Sequence, residues 1–212
     1  MLRAQVYEAL GTVYDPELDE PITTLGFVGS CVVDEHDVSV RLRLPTPQCA
    51  PNFAFLMAAD ARRAVETVPG VESVSVVLED HYTGAEINGA VNEDQGFEGA
   101  FPGETRGDLD ALRALFQRKA LLARQSRLLP SEATRLGELT GADADRCREL
   151  RTELGIDASD DAPPFVTGDG TPVDASDARF RRMAALTALS LEANGGLCRD
   201  LLRVRYGEEA AA

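Results

Sequence analysis

Apolar residues in the first third of the chain follow two spacings that predict helices and strands in turn. A first helix is indicated by apolar residues three or four positions apart: Leu2, Val6, Leu10 and Val13. Two β-rich runs, 28–33 and 38–44, flank a short polar turn. A second helical stripe starts at Pro51, and residues 71–78 alternate like a third strand. The order α-β-β-α-β predicts an α+β fold with a small three-stranded sheet and packed helices.

The rest of the chain has a different pattern. Residues 80–105 are rich in glycine and acids and lack apolar periodicity, which predicts a loop or linker. Residues 106–212 show helical stripes with capping signals, interrupted by a predicted hairpin at 165–173, and the glycine pair at 195–196 predicts that the last two helices are separate. We therefore expect an α+β domain over residues 1–79, an acidic Gly-rich linker and a mainly α-helical C-terminal region.

The charge balance argues against several classes of function. The 212 residues include 36 acidic and 21 basic side chains, so the formal net charge is −15, and such a field repels the phosphates of nucleic acids. No apolar run reaches the roughly 20 residues that cross a bilayer. The first residues lack the apolar core of a secretory signal, so we expect a cytoplasmic protein whose four cysteines are free thiols.

The strongest candidate for chemistry is the turn 45–51, with the sequence Pro-Thr-Pro-Gln-Cys-Ala-Pro. It joins a predicted strand to a predicted helix, and Pro51 suits the first helical position. Cys49 would lie at the N-terminus of that helix, where free N–H groups and the helix dipole favour the thiolate that binds iron. The alternative is that Cys49 is a small apolar core residue. The spacing alone leaves both interpretations open.

A second candidate is the acidic, proline-bounded loop 14–22. The carboxylates of Asp15 and Glu17 could ligate a metal, but Asp-Pro and Glu-Pro pairs also build ordinary turns, and residue chemistry alone favours the turn. His81 directly follows the third predicted strand and could be a second ligand beside Cys49 if both lie at the same end of the sheet. A capping or surface role is the alternative for His81.

The three other cysteines carry no local signal for chemistry. Cys31 lies inside a predicted strand, and Cys147 and Cys198 lie on predicted helices. We therefore expect all three to be structural.

Four motifs follow one another at a specific spacing in the first part of the chain. They are Val13-Tyr14-Asp15-Pro16-Glu17-Leu18, Thr24-Leu25-Gly26-Phe27-Val28, Thr46-Pro47-Gln48-Cys49-Ala50-Pro51 and Val68-Pro69-Gly70-Val71-Glu72-Ser73-Val74-Ser75-Val76. Together they resemble the small iron–sulfur assembly domain of the SufT and PaaD family. The resemblance covers about residues 1–79, and it does not extend to residues 106–212 or include the cysteine-rich tail of the PaaD branch.

The resemblance implies a role that composition cannot indicate. Members of the family assist iron–sulfur cluster assembly or deliver clusters and metal to client enzymes, some of them multicomponent oxygenases. The family cysteine corresponds to Cys49, in the same turn as Thr46, and the family's acidic loop corresponds to Asp15 and Glu17. The resemblance therefore implies a labile iron or iron–sulfur cluster bound at Cys49 and Thr46, with Asp15 and Glu17 as further candidate metal ligands. The position of His81 after the third predicted strand adds it as another candidate ligand.

Three hypotheses follow. The first is a maturation factor, not an enzyme, that works with a client metalloenzyme or oxygenase subunit and with other iron–sulfur assembly proteins. Because a cluster normally takes four thiolates, a homodimer, a client cysteine or glutathione must complete the ligands beside Cys49. The second is a metal-free scaffold or assembly chaperone that binds an oxygenase subunit. The third, a cysteine-dependent hydrolase or transferase, needs a base near Cys49 and is the weakest.

Overall fold

The computed structural model describes residues 2–103 and 109–207. It divides into two compact units. Unit 1 consists of residues 1–109 and 195–212, and unit 2 consists of residues 110–194. Unit 1 therefore combines the first half of the sequence with a short segment close to its end.

Unit 1 is an α+β structure built around a three-stranded mixed sheet. Its elements are α1 (Leu2–Leu10), β1 (Val28–Asp34), β2 (Asp37–Arg43), α2 (Pro51–Glu66), β3 (Ser73–Glu79), α3 (Gly84–Asn92), α4 (Gly96–Ala100) and the end of α7 (Ala178–Tyr206). Strand β2 is central and pairs antiparallel with β1 and parallel with β3. This architecture confirms the predicted fold class and the predicted order α-β-β-α-β.

Burial in unit 1 follows the predicted periodicities. Strand β2 buries alternate residues, Val38, Val40 and Leu42, as expected for a strand with one covered face. Helix α2 packs against α1 and β3 and buries an apolar stripe that includes Phe55 and Ala61. These contacts place the β2–α2 turn, which carries the candidate cysteine, at the end of the central strand.

The prediction of a loop or linker over residues 80–105 is wrong for most of that segment, because α3 and α4 lie within it. Residues 104 and 105 lie outside the described part of the chain. Helix α3 buries three apolar residues at helical spacing, Ile87, Ala90 and Val91. This short pattern was not recognised because the segment around it is rich in glycine and acids. In addition, the Asn88 and Asn92 amides each exchange two hydrogen bonds with the backbone of β3, at Leu78 and Val76. Helix α3 thus covers a sheet edge that would otherwise present unpaired backbone groups.

Unit 2 is mainly helical, as predicted. It contains α5 (Asp110–Arg127), a 3-10 helix (Leu136–Glu138), α6 (Ala142–Glu153) and the first part of α7. Its core is apolar and includes Leu136, Leu150 and Phe165. The predicted hairpin at 165–173 is reduced to one antiparallel bridge between Val166 and Pro172.

The predicted break at residues 195–196 is absent, because α7 is continuous from Ala178 to Tyr206. Glycine lowers helix stability by about 1 kcal/mol but does not forbid a helix where packing requires a small residue. A Cβ at Gly195 would lie 2.7 Å from Glu20 Oε1, so this position needs a glycine unless Glu20 moves. Among the described residues, no helix is long and apolar enough to cross a membrane.

Candidate functional site

The Cys49 turn connects β2 to α2 and leaves its thiol partly exposed. The Cys49 N–H donates to the Thr46 carbonyl at 3.4 Å, and Thr46 Oγ1 lies 3.6 Å from Cys49 Sγ, within hydrogen-bond distance for sulfur. Helix α2 begins two residues later with Pro51 at its first position, and no side chain caps it at Ala50. The thiol therefore lies next to a helix N-terminus, as the sequence predicted, and not in the core.

The segment after β3 holds this turn through its backbone. The Tyr82 N–H donates to the Pro47 carbonyl at 3.1 Å, and His81 Nε2 lies 2.7 Å from the Cys49 carbonyl. Because His81 Nδ1 accepts the Thr83 N–H at 3.3 Å, Nε2 carries the ring proton and donates it to Cys49. His81 is thus close to Cys49, but it contacts the carbonyl and not the sulfur.

Burial lowers the pKa of His81, so the ring is neutral at neutral pH. A neutral imidazole is the form that binds metals, yet both ring nitrogens of His81 have hydrogen-bond partners. For His81 to ligate iron, one nitrogen would have to leave its partner. Its role as a metal ligand stays a prediction.

The acidic loop buries Asp15 and Asp19, and the Asp15 carboxylate closes its turn. Asp15 Oδ1 accepts the Glu17 N–H at 2.8 Å and the Leu18 N–H at 2.9 Å, which closes the turn. Burial raises the pKa of Asp15 to about 6, and the neighbouring acids Glu17 and Glu20 act in the same direction. Asp15 therefore forms the turn and is also a carboxylate whose charge is poorly solvated. A structural turn and a metal-binding loop, the two interpretations offered by the sequence, are thus compatible.

Sequence reasoning missed the proximity of Cys198, which lies on α7 and is partly exposed. Burial raises the pKa of its thiol to about 11, and the negative groups that act on it are Asp15, Cys49 and Glu17. The next residue of α7, Arg199, pairs with Glu20, so the helix brings a second thiol to the acidic loop. No local signal distinguishes Cys198 from a helical core cysteine, so only its tertiary contacts reveal this position.

Two further contacts fix the end of α7 in unit 1. Arg199 Nη1 pairs with Glu20 Oε2 at 2.5 Å, and the Tyr206 hydroxyl donates to Asp80 Oδ2 at 3.2 Å. Glu20 belongs to the acidic loop, and Asp80 immediately precedes His81. The helix is thus attached both to the acidic loop and to the segment that holds the Cys49 turn.

The donors at this site are of the types that iron and iron–sulfur clusters use, thiols and carboxylates. Cys31 and Cys147 are buried and do not contribute donors to the site. Within the described residues, no three or more His, Cys, Asp or Glu side chains converge as a metal-binding group. One chain in this arrangement therefore offers an incomplete set of ligands.

Comparisons with known proteins agree with the geometry. The family model of the iron–sulfur cluster assembly protein matches residues 3–76. An uncharacterised protein of Methanocaldococcus jannaschii is 34% identical over 92 residues, which cover 43% of this chain and 95% of that protein. An iron–sulfur cluster carrier protein of Synechocystis sp. is 38% identical over 71 residues, or 34% of this chain and 20% of the carrier.

The match to the carrier is thus confined to a fifth of that protein's length, whereas the archaeal protein is matched almost completely. The matched region covers nearly all of α1, the acidic loop, β1, β2, the Cys49 turn, α2 and the first half of β3. Through this domain, the chain belongs to the iron–sulfur cluster assembly protein family.

Proposed function

We propose that this protein binds an iron–sulfur cluster, or labile iron for one, and delivers it to a client metalloenzyme, with Cys49 as the main ligand. The observation that supports this most directly is the partly exposed Cys49 thiol in a turn held by Thr46, His81 and Tyr82. A buried thiol could not exchange a cluster with a partner. A thiol on an unsupported loop would not present it in a defined position.

The surrounding residues suit a carrier that must release its cargo. Thr46 contacts the sulfur, and the carboxylates of Asp15 and Glu17 offer oxygen ligands to an incoming iron ion. The same carboxylates raise the free energy of an anionic thiolate-ligated cluster, which weakens retention. Clients would be metalloenzymes such as an oxygenase subunit, and donors would be other iron–sulfur assembly proteins. This is a non-catalytic role, for which we propose a cytoplasmic location.

Anaerobic reconstitution with iron and sulfide tests the proposal. We would measure visible absorption, iron and sulfide per chain for the wild type, for Cys49→Ser, and for Cys31→Ala as a control that removes a buried thiol of unit 1. We expect cluster binding by the wild type and the control, and its loss in Cys49→Ser with an unchanged circular dichroism spectrum. Equal binding by Cys49→Ser would overturn the role of Cys49.

The alternative function is a metal-free scaffold for an oxygenase subunit. It is favoured by one observation in unit 2, where Met183, Leu186 and Leu189 of α7 expose large apolar side chains. A client that co-purifies with Cys49→Ser as well as with the wild type, without iron, would favour this function over delivery.

A further inference from the structure

Within unit 1, one face of α7 lies against the acidic loop and the end of the sheet. Positions 195, 198, 202 and 205 share this face because they are three or four residues apart. At the N-terminal end of the segment, the backbone at position 195 approaches so closely that a Cβ would lie 2.7 Å from Glu20 Oε1. This end of the face is therefore fixed at the acidic loop.

The other end of the same face is fixed beside the Cys49 turn. Arg205 donates to the Leu44 carbonyl at 3.1 Å and to the Asp80 carbonyl at 2.6 Å. Leu44 immediately precedes the Cys49 turn, and Asp80 immediately follows β3. Cys198 lies between the two attachments on the face that both define, so this face carries its side chain between the acidic loop and the end of the sheet next to the Cys49 turn.

We propose that Cys198 is a second thiolate ligand beside Cys49, so that each chain offers two thiolates to one iron–sulfur cluster. This inference rests on the proposed function and specifies its ligands. The remaining thiols cannot take this role, because Cys31 and Cys147 are buried in the cores of units 1 and 2. A metal ion would displace the proton of Cys198, as metal binding does for any thiol ligand.

Two thiolates per chain predict how many clusters each chain binds. A [2Fe–2S] cluster is ligated by four thiolates, so two copies of this chain complete its ligands without glutathione or a client cysteine. Release to a client then requires that thiols of the client replace the thiolates of both copies, which take up protons as they leave. The bridged form is expected to hold half a cluster, or about one iron, per chain.

An exposed apolar stripe lies next to Cys198 on α7. Leu197, Leu201 and Val204 are spaced four and three residues apart, so they form this stripe on the flank of the Cys198 face. All three are exposed, Leu197 to 58% and Val204 to 86%. In the two-copy arrangement, we assign this stripe to the contact between the two copies.

The test compares cluster binding by four proteins: the wild type, Cys49→Ser, Cys198→Ser and the buried-thiol control Cys31→Ala. After anaerobic reconstitution and gel filtration, we would determine iron and sulfide per chain, the visible spectrum and the mass by sedimentation. We expect about one iron per chain and a dimer for the wild type and the control. We expect cluster retention by Cys198→Ser to fall by at least about tenfold. Mutating a residue that only orients a ligand already costs 10- to 100-fold in metal affinity, and loss of a ligand should cost more.

The outcomes separate the inference from the proposed function. Full binding by Cys198→Ser with loss in Cys49→Ser would overturn the second ligand and leave the proposed function intact. No binding by the wild type would overturn both. A cluster on a monomeric wild type would overturn the two-copy arrangement. Cys198→Ala serves as a second variant if the serine disturbs the fold.

A measurement without mutation gives an independent check. Iodoacetamide alkylation of the apo and the reconstituted protein, read by mass spectrometry, reports on each thiol separately. If both thiols ligate, the cluster should block alkylation of Cys49 and Cys198 together, because the alkylating agent attacks a free thiolate. Protection of Cys49 alone would contradict the proposal.

Discussion

Units 1 and 2 both bury charged side chains, and Asp15 of unit 1 differs from Arg151 of unit 2 in its surroundings. In unit 2, the guanidinium of Arg151 is fully buried and donates to the Pro163 and Pro164 carbonyls at 2.8 Å each. In unit 1, the Asp15 carboxylate accepts two backbone N–H groups, and the charges that act on it are those of the acids Glu17 and Glu20. The partners of Arg151 are backbone groups that hold a loop, whereas those of Asp15 include groups able to bind a metal.

The comparison shows why burial of a charge does not by itself identify a functional site. A buried charge whose hydrogen-bonding groups are directed at the backbone, such as Arg151, fixes a chain segment. In the same unit as Asp15, the thiols of Cys49 and Cys198 remain partly exposed. The difference between a structural charge and a functional one therefore lies in which reactive groups surround it.

The largest effect should come from removing the structural charge. Arg151→Met keeps much of the side-chain volume but leaves the Pro163 and Pro164 carbonyls without their donors, at about 2 kcal/mol each. We expect the free energy of unfolding, measured with urea, to fall by about 4 kcal/mol. The exposed Arg182→Met in the same unit should change it by less than about 0.5 kcal/mol. Similar losses in both variants would show that Arg151 has no special structural role.

The functional charge should instead make stability depend on pH. The folded-state pKa of Asp15 is about 6, above its ordinary value of 3.8, so the folded protein binds this proton more tightly than the unfolded chain. The contribution of Asp15 to the free energy of unfolding is fully present below its unfolded pKa, at about pH 4 and lower. It is lost as the pH rises through about 6, so at neutral pH it is about 3 kcal/mol lower than in acid. Asp15→Asn does not titrate, and its oxygen can still accept both N–H groups.

We therefore expect the stability of apo Asp15→Asn relative to the apo wild type to increase by about 2.4 kcal/mol between pH 4 and pH 7. Urea unfolding at several pH values measures this difference. Parallel pH profiles for the two proteins would show that Asp15 titrates normally.

A smaller effect is expected at the residue that holds the Cys49 turn. His81→Ala removes the hydrogen bond to the Cys49 carbonyl and should reduce cluster retention by about tenfold, without changing the visible spectrum. His36→Ala is the matched control, because His36 is exposed and binds the Gly70 carbonyl away from this turn. A changed spectrum in His81→Ala would instead identify His81 as a direct ligand, as the sequence first suggested.

The smallest effect distinguishes two adjacent glycines of α7. Gly196→Ala meets no atom within 4 Å and should stabilise the protein by about 0.5–1 kcal/mol, because alanine favours the helix. At Gly195 the new Cβ would displace Glu20 from Arg199, so Gly195→Ala should gain less or lose stability. Thermal unfolding of both variants measures the difference. Equal gains would show that the close approach of α7 to Glu20 is not maintained.

Much of unit 1 could be predicted from local patterns. The alternation in β2 and the stripe of α2 match the buried residues, and the Cys49 turn lies at the start of α2 as Pro51 indicated. Helix α3 was missed because its stabilising contacts, the Asn88 and Asn92 amides on the edge of β3, are not local. An asparagine in the sequence predicts a turn more readily than a bond to a strand ten or more residues away.

By itself, the sequence determined the α+β class, the family motifs and the position of Cys49 beside a helix N-terminus, because periodicity, proline and motif spacing are local properties. Only the tertiary structure decided that α7 continues through Gly195 and brings Cys198 to the acidic loop. That outcome depends on the Glu20–Arg199 pair, which joins residues 179 positions apart. Contacts across such a separation leave no periodic trace in the sequence, since each partner is an ordinary charged residue in its own segment.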